Sequence, residues 1–203
     1  MTAIEISGNL ALVALGLLTL NLLLGLLLSV GYNPLRQWPV RRIKLFTLHN
    51  WTGYLALSAA TLHPLTLLLS SDVDFRLFDL AVPTSSPVQP FENTLGAIAW
   101  YLVAFVVTTS YCRSVFGRRW WKRLHYSAYA AAAMFFWHGL VTDPRLEHNP
   151  IDWIDAEKVF VELCALAVAA ATVWRIVYGR KRTEVRHQTA AARAAARRAL
   201  AGT

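Results

Sequence analysis

The sequence predicts an all-α membrane protein, a bundle of about five transmembrane helices with the N-terminus outside and the C-terminus in the cytoplasm. Three observations carry that expectation. Of 203 residues, 56% are hydrophobic and only 16% charged. Five long stretches hold almost no charge, and the formal net charge is nonetheless +8, with the basic residues gathered in alternate connections. The length allows one domain. A basic nucleic-acid binder needs a soluble surface that five such stretches do not leave, so no nucleic-acid partner is expected. Disorder is excluded by the richness in aliphatic and aromatic residues. Cys112 and Cys164 lie inside apolar stretches and make neither a disulfide framework nor a zinc knuckle.

A helix needs about 20 apolar residues to cross about 30 Å of hydrocarbon. Residues 9–32, 45–70, 94–112 and 124–142 contain no Asp, Glu, Lys or Arg, and 159–174 contains only Glu162. The expected spans are therefore 9–32, 45–70, 94–112, 124–142 and 159–178, with residues 1–8 as an external N-terminus and 179–203 as a basic cytoplasmic tail. The first span is expected to be retained rather than cleaved as a signal peptide. Its apolar run exceeds the usual h-region, residues 1–8 carry Glu5 and no Lys or Arg, and no clear cleavage site follows.

Orientation follows from the connections. Arg36, Arg41, Arg42 and Lys44 follow the first span, Arg113, Arg118, Arg119, Lys122 and Arg123 follow the third, and eight further basic residues lie from Arg175 onward. Seventeen of the 20 basic residues thus share one side, which the positive-inside rule makes cytoplasmic. The other connections are acidic, with Asp72, Asp74, Asp79 and Glu92 in one and Asp143, Glu147, Asp152, Asp155 and Glu157 in the next. Trp38, Trp120, Trp121 and Trp153 sit where interfacial aromatics belong. The Ala- and Arg-rich tail reads as a helix on the cytoplasmic lipid surface or as a dock for an acidic electron donor. Glu162 and Cys164, toward the outer end of the last span, have no partner visible in the sequence.

Four of the six histidines fall inside spans, where an ionisable side chain is costly and points to function. His49 and His63 lie on the second span, His125 and His138 on the fourth; His148 and His187 are solvated and form no site. His49 and His125 follow basic residues closely and belong near the cytoplasmic face, whereas His63 and His138 precede acidic loops and belong toward the outside. Separations of 14 and 13 residues correspond to about 21 Å and about 19.5 Å of helix rise. Two antiparallel spans thus offer His49 with His125 and His63 with His138 at matching depths. Two neutral imidazoles from facing helices are what bis-His b-type haem ligation needs. Fourteen residues return about 40° short of four turns, but 13 miss by about 140°. The fourth span therefore needs a tilt, kink or π-bulge, and Pro64 can bend the second.

Gly53, Ala56, Ala59 and Ala60 on one helix, and Ala128 and 130–133 on the other, either make room for a macrocycle or pack the helices closely. Arg41, Arg42, Lys44, Arg119 and Arg123 are candidate cations for haem propionates, though they also serve topology. The plainest alternative for the four histidines is a set of interhelical hydrogen bonds, each worth little in a membrane. A metal transporter is another, but the carboxylates that accompany a hard cation are missing from these helices.

His49-Asn-Trp-Thr-Gly53 followed by His63, and Trp121-Lys-Arg-Leu-His125-Tyr126 followed by His138, resemble the ferric reductase-like transmembrane domain over about residues 43–178. That superfamily includes NADPH oxidases, ferric-chelate reductases and the haem-binding subunit of the bacterial periplasmic methionine sulfoxide reductase system. The resemblance implies two stacked b haems in a multi-pass protein of the plasma (bacterial inner) membrane. His49 and His125 would hold the cytoplasmic-side iron, His63 and His138 the outer one. Electrons would pass from a cytoplasmic donor to an external acceptor.

The chain departs from the pattern in three places. Only 25 residues follow Tyr178, with no glycine-rich nucleotide motif. Flavin or quinone is then expected in trans, from a separate flavoprotein, a periplasmic redox subunit or a quinol. The four-His pattern differs from that of the sulfoxide reductase subunit. Where some oxidases place an aromatic between the haems, this chain has 130–133, with Tyr54 or Trp100 available for that role. A quinol-oxidising haem anchor and a non-redox haem or metal transporter are the competing expectations.

Overall fold

The computed structural model describes residues 2–34, 44–143, 145–146 and 152–201, so the expectations for Arg36, Trp38, Arg41, Arg42, Glu147 and His148 lie outside the described residues. Those residues build an all-helical protein. α1 (Ala3–Val30) starts at a capping box: Glu5 N–H donates to Thr2 Oγ1 and Thr2 N–H to Glu5 Oε2, satisfying two end-of-helix donors. It stops at Gly31, whose φ of 68° is left-handed, and Tyr32 N–H reaches back to Leu27 O. The helix therefore begins six residues before the charge-free run.

α2 (Leu45–Leu67) returns antiparallel to α1 and contains Pro64. A short α3 (Leu77–Ala81) and a 3-10 turn at Pro83–Ser85 form the connection to α4 (Pro90–Tyr111). Tyr101 on α4 pins α3 by donating its hydroxyl to Ala81 O. The basic connection after α4 is itself helical, α5 (Arg113–His125), interrupted at Gly117 (φ 69°, ψ 158°). α6 (Ser127–Val141) follows after Tyr126, and α7 runs unbroken from Ala156 to Ala201.

Among the described residues three helices are long and apolar enough to cross a membrane: Ala3–Val30, Pro90–Tyr111 and the Ala156–Ala190 part of α7. Leu163, Leu166 and Val173 of α7 are exposed, as lipid-facing side chains are. α2 has 23 residues but carries the polar groups of His49, Asn50, Thr52 and His63. α6 has only 15 residues, about 22 Å of rise, because the expected fourth span is divided at Tyr126.

α1 contributes to every core cluster. Leu15 packs with Ala132, Phe136, Val161 and Val168; Leu18 with Ala56, Val103 and Ala131; and Ala14 with Ala59 and Ala60. Ala56, Ala59, Ala60, Ala131 and Ala132 are therefore close-packing residues, whereas Ala130 and Ala133 are exposed. Cys112 and Cys164 are both free thiols. Cys164 packs against the first cluster.

Candidate functional site

Two histidine pairs form, as the depth argument expects. The His49 and His125 rings lie 6.2 Å apart between centroids at 72°, and the His63 and His138 rings 6.5 Å apart at 61°. The expected fourth span is interrupted at Tyr126, between α5 and α6. There the chain makes i→i−3 bonds, Tyr126 N–H to Arg123 O and Tyr129 N–H to Tyr126 O. A 3-10 step turns about 120° per residue instead of 100°, so it recovers only about 20° of the 140° for each residue it takes in. It is the opposite of a π-bulge.

The partners of the ring nitrogens were not legible in advance. His49 Nδ1 meets Asn21 O at 3.0 Å, and His63 Nδ1 meets Ser7 O at 2.8 Å. Ser7 and Asn21 are separated by the same 14 residues as His49 and His63, so one face of α1 holds both histidines of α2. α4 does the same for the other two. His138 Nδ1 meets Glu92 O at 2.8 Å, and His125 Nδ1 meets Ser110 Oγ at 3.1 Å. A carbonyl can only accept, so in the neutral ring Nδ1 of His49, His63 and His138 carries the proton and Nε2 presents a lone pair. At His125 the partner is a hydroxyl, which takes either role, and the ring is further held by stacking on Trp121 at 5.2 Å.

Side chains reinforce each contact. Asn21 Nδ2 donates to His49 O and, at 3.0 Å, to Thr52 Oγ1. Ser7 Oγ donates to His63 O at 2.9 Å, and Thr142 Oγ1 to His138 O at 2.7 Å. Interhelical hydrogen bonds in membranes are worth about 0.6 kcal/mol on average and up to about 1.7. Asn21→Ala is accordingly expected to destabilise the protein by about 1–2 kcal/mol without disrupting the fold, read as a lowered thermal midpoint in detergent. A loss above about 4 kcal/mol would mean that Asn21 carries more than these two bonds.

Each pair opens on a cavity. His63 and His138 line one of about 510 Å³ with Ser7, Trp100, Phe135 and Lys158. His49 and His125 line one of about 210 Å³ with Asn21, Tyr54, Ser110 and Arg113. Trp100 and Tyr54 thus belong to different pairs. Phe135, which sequence reasoning passed over, lines the larger cavity and packs against all three core clusters. Of the candidate propionate cations, Lys44, Arg119 and Arg123 are exposed and line neither cavity. Arg113 lines the smaller one, with its guanidinium 4.8 Å from the Phe46 ring centroid. Glycine makes the close approaches possible: a Cβ at Gly96 would lie 2.7 Å from His138 Cε1, and one at Gly25 3.2 Å from His49 Cε1.

The family described as ferric reductase like transmembrane component matches residues 10–136, more than half of the chain. The chain belongs to this family. No curated protein and no solved structure matches it. The ferric reductase-like match runs from within α1 through α2, α3, α4 and α5 into α6, holds His49, His63 and His125, and ends two residues before His138. A membrane electron-transfer component is the role this family suggests. Among the described residues no three His, Cys, Asp or Glu side chains gather where they could hold a metal ion.

Proposed function

We propose that this ferric reductase-like chain is a two-haem b-type electron conduit, passing electrons from a cytoplasmic-side donor to an external acceptor. The observation that carries the reading is the pair of histidine pairs, with Nδ1 of all four rings engaged and a lone pair left at Nε2 of His49, His63 and His138. A haem iron would be held by His49 with His125 and by His63 with His138, whose ring centroids stand 6.2 and 6.5 Å apart. Two imidazoles would suit a haem better than a bare metal ion, which takes more protein donors. When bound, haem b supplies one-electron redox chemistry at each pair. The protein's part is to hold His49 with His125 and His63 with His138, and to fix the tautomers of His49 and His63 through α1 and that of His138 through α4.

The same reading takes five membrane crossings, counting α2 and residues 124–142, with the basic connections and the end of α7 in the cytoplasm of a bacterial inner-membrane protein. The donor is a redox partner on the cytoplasmic side, and the acceptor an external or periplasmic redox partner. The unbroken course of α7 past Tyr178 favours a dock for an acidic protein over a helix lying on lipid, since a helix leaving the bilayer must bend to lie flat.

Proteoliposomes enclosing ferricyanide and given a membrane-impermeant reductant outside test the conduit. Haem-loaded protein is expected to oxidise the reductant at the expense of enclosed ferricyanide. Vesicles carrying the His63→Ala variant are expected to fall to the protein-free rate. Failure of the loaded wild-type protein to move electrons across would overturn the proposal, and haem reduction by a quinol analogue without a flavoprotein would favour a quinol-oxidising anchor.

A further inference from the structure

Lys158 lies in the first turn of α7, where a cation opposes its own helix dipole, yet only 6% of its surface is exposed. Burial of a flexible ammonium demands partners. Its Nζ donates to Gly139 O at 2.9 Å and to Thr142 O at 2.5 Å, both at the C-terminal end of α6. There the dipole favours positive charge and the last carbonyls lack helical donors. The contact continues into the site: Thr142 Oγ1 donates to His138 O and lies 3.1 Å from His138 Nδ1. Lys158, His63 and His138 line the same 510 Å³ cavity.

We propose that Lys158 is a positioning residue for the His63–His138 site, locking the last turn of α6 and holding a buried positive charge that favours the reduced form of the redox centre bound there. This rests on the two-haem reading. The other charged groups that line that cavity, Asp79, Asp143 and Glu157, are carboxylates and push the other way. The ammonium thus offsets an otherwise negative wall, and its loss shifts the equilibrium toward oxidation. Because the His49–His125 cavity lies about 21 Å along α2, the effect is confined to one of two transitions.

The test is a spectroelectrochemical titration of the purified, haem-loaded protein. Lys158→Gln keeps a hydrogen-bond donor and loses the charge; Lys158→Arg keeps both. In K158Q the reduced-to-oxidised ratio of one transition, at the wild-type midpoint, is expected to fall about three- to tenfold, a tenfold fall being 59 mV for one electron. The other transition is expected to hold, and K158R to restore the first. An unchanged midpoint in K158Q overturns the charge assignment, because a purely structural tie would leave the potential in place once haem is bound. If K158Q does not fold, Glu157→Gln serves: a rise in the same midpoint supports the proposal, and no shift overturns it. A wild-type protein without two b-type transitions sinks the two-haem reading itself, a result distinct from either.

Discussion

His49→Ala is expected to remove one haem and leave the other, halving the reduced-minus-oxidised absorbance and the haem content per chain. His138→Ala is expected to do the same at the other site, so that the double variant holds none. The separation follows from the architecture. The pairs line different cavities, stand about 21 Å apart along α2, and are braced at different points, His49 by Asn21 and His138 by Glu92 and Thr142. Each substitution would remove one of the two imidazoles that would hold its haem and touches none of the contacts at the other pair. If His49→Ala and His125→Ala affect different haems, or if either removes both, the pairing by depth is wrong.

Gly96→Val is expected to reproduce the His138→Ala spectrum with every histidine still in place. A Cβ at Gly96 would lie 2.7 Å from His138 Cε1, 2.9 Å from Nε2 and 3.0 Å from Nδ1, distances at which the ring must move or α4 must separate from α6. The ring is already tied to Glu92 O on the same helix as Gly96, so it has little freedom to retreat. Gly25→Ala approaches His49 less closely, at 3.2 Å, and is expected to lower occupancy at that pair without emptying it. Gly179→Ala, whose Cβ would meet nothing within 4 Å at a residue that lines neither cavity, serves as the control. Full retention of both haems in Gly96→Val, with helical content unchanged by circular dichroism, would contradict the close packing of α4 on His138.

The two histidine pairs were legible in the sequence because depth along a span can be counted from flanking charges, and charges are visible residue by residue. Their bracing was not, because Asn21 O, Ser7 O and Glu92 O are backbone acceptors that every residue possesses. Two side-chain signals were nevertheless present: Asn21 is a polar residue within a charge-free run, and Gly96 is a small one opposite a candidate ligand. The early start of α1 was also legible, since Thr2-x-x-Glu5 is a capping box, but a search for charge-free runs passes over it. The same search treats 113–123 as a connection. A surface helix of Arg, Lys and Trp with a glycine break has no apolar run to reveal it. Tyr126 shows the remaining limit. Ideal helical rotation puts His125 and His138 on different faces, and the interruption between α5 and α6 at Tyr126 is visible only in the backbone. By sequence Lys158 sits beside the acidic residues Asp155 and Glu157, whereas its burial depends on the carbonyl ends of a helix brought to it by the fold.

The most direct test of the account is haem quantitation of the purified chain together with its reduced-minus-oxidised spectrum. The account predicts two haem b per chain and a b-type difference spectrum, with half of each lost when either histidine pair is broken. Less than one haem per chain, with no b-type absorbance after reconstitution, would contradict it.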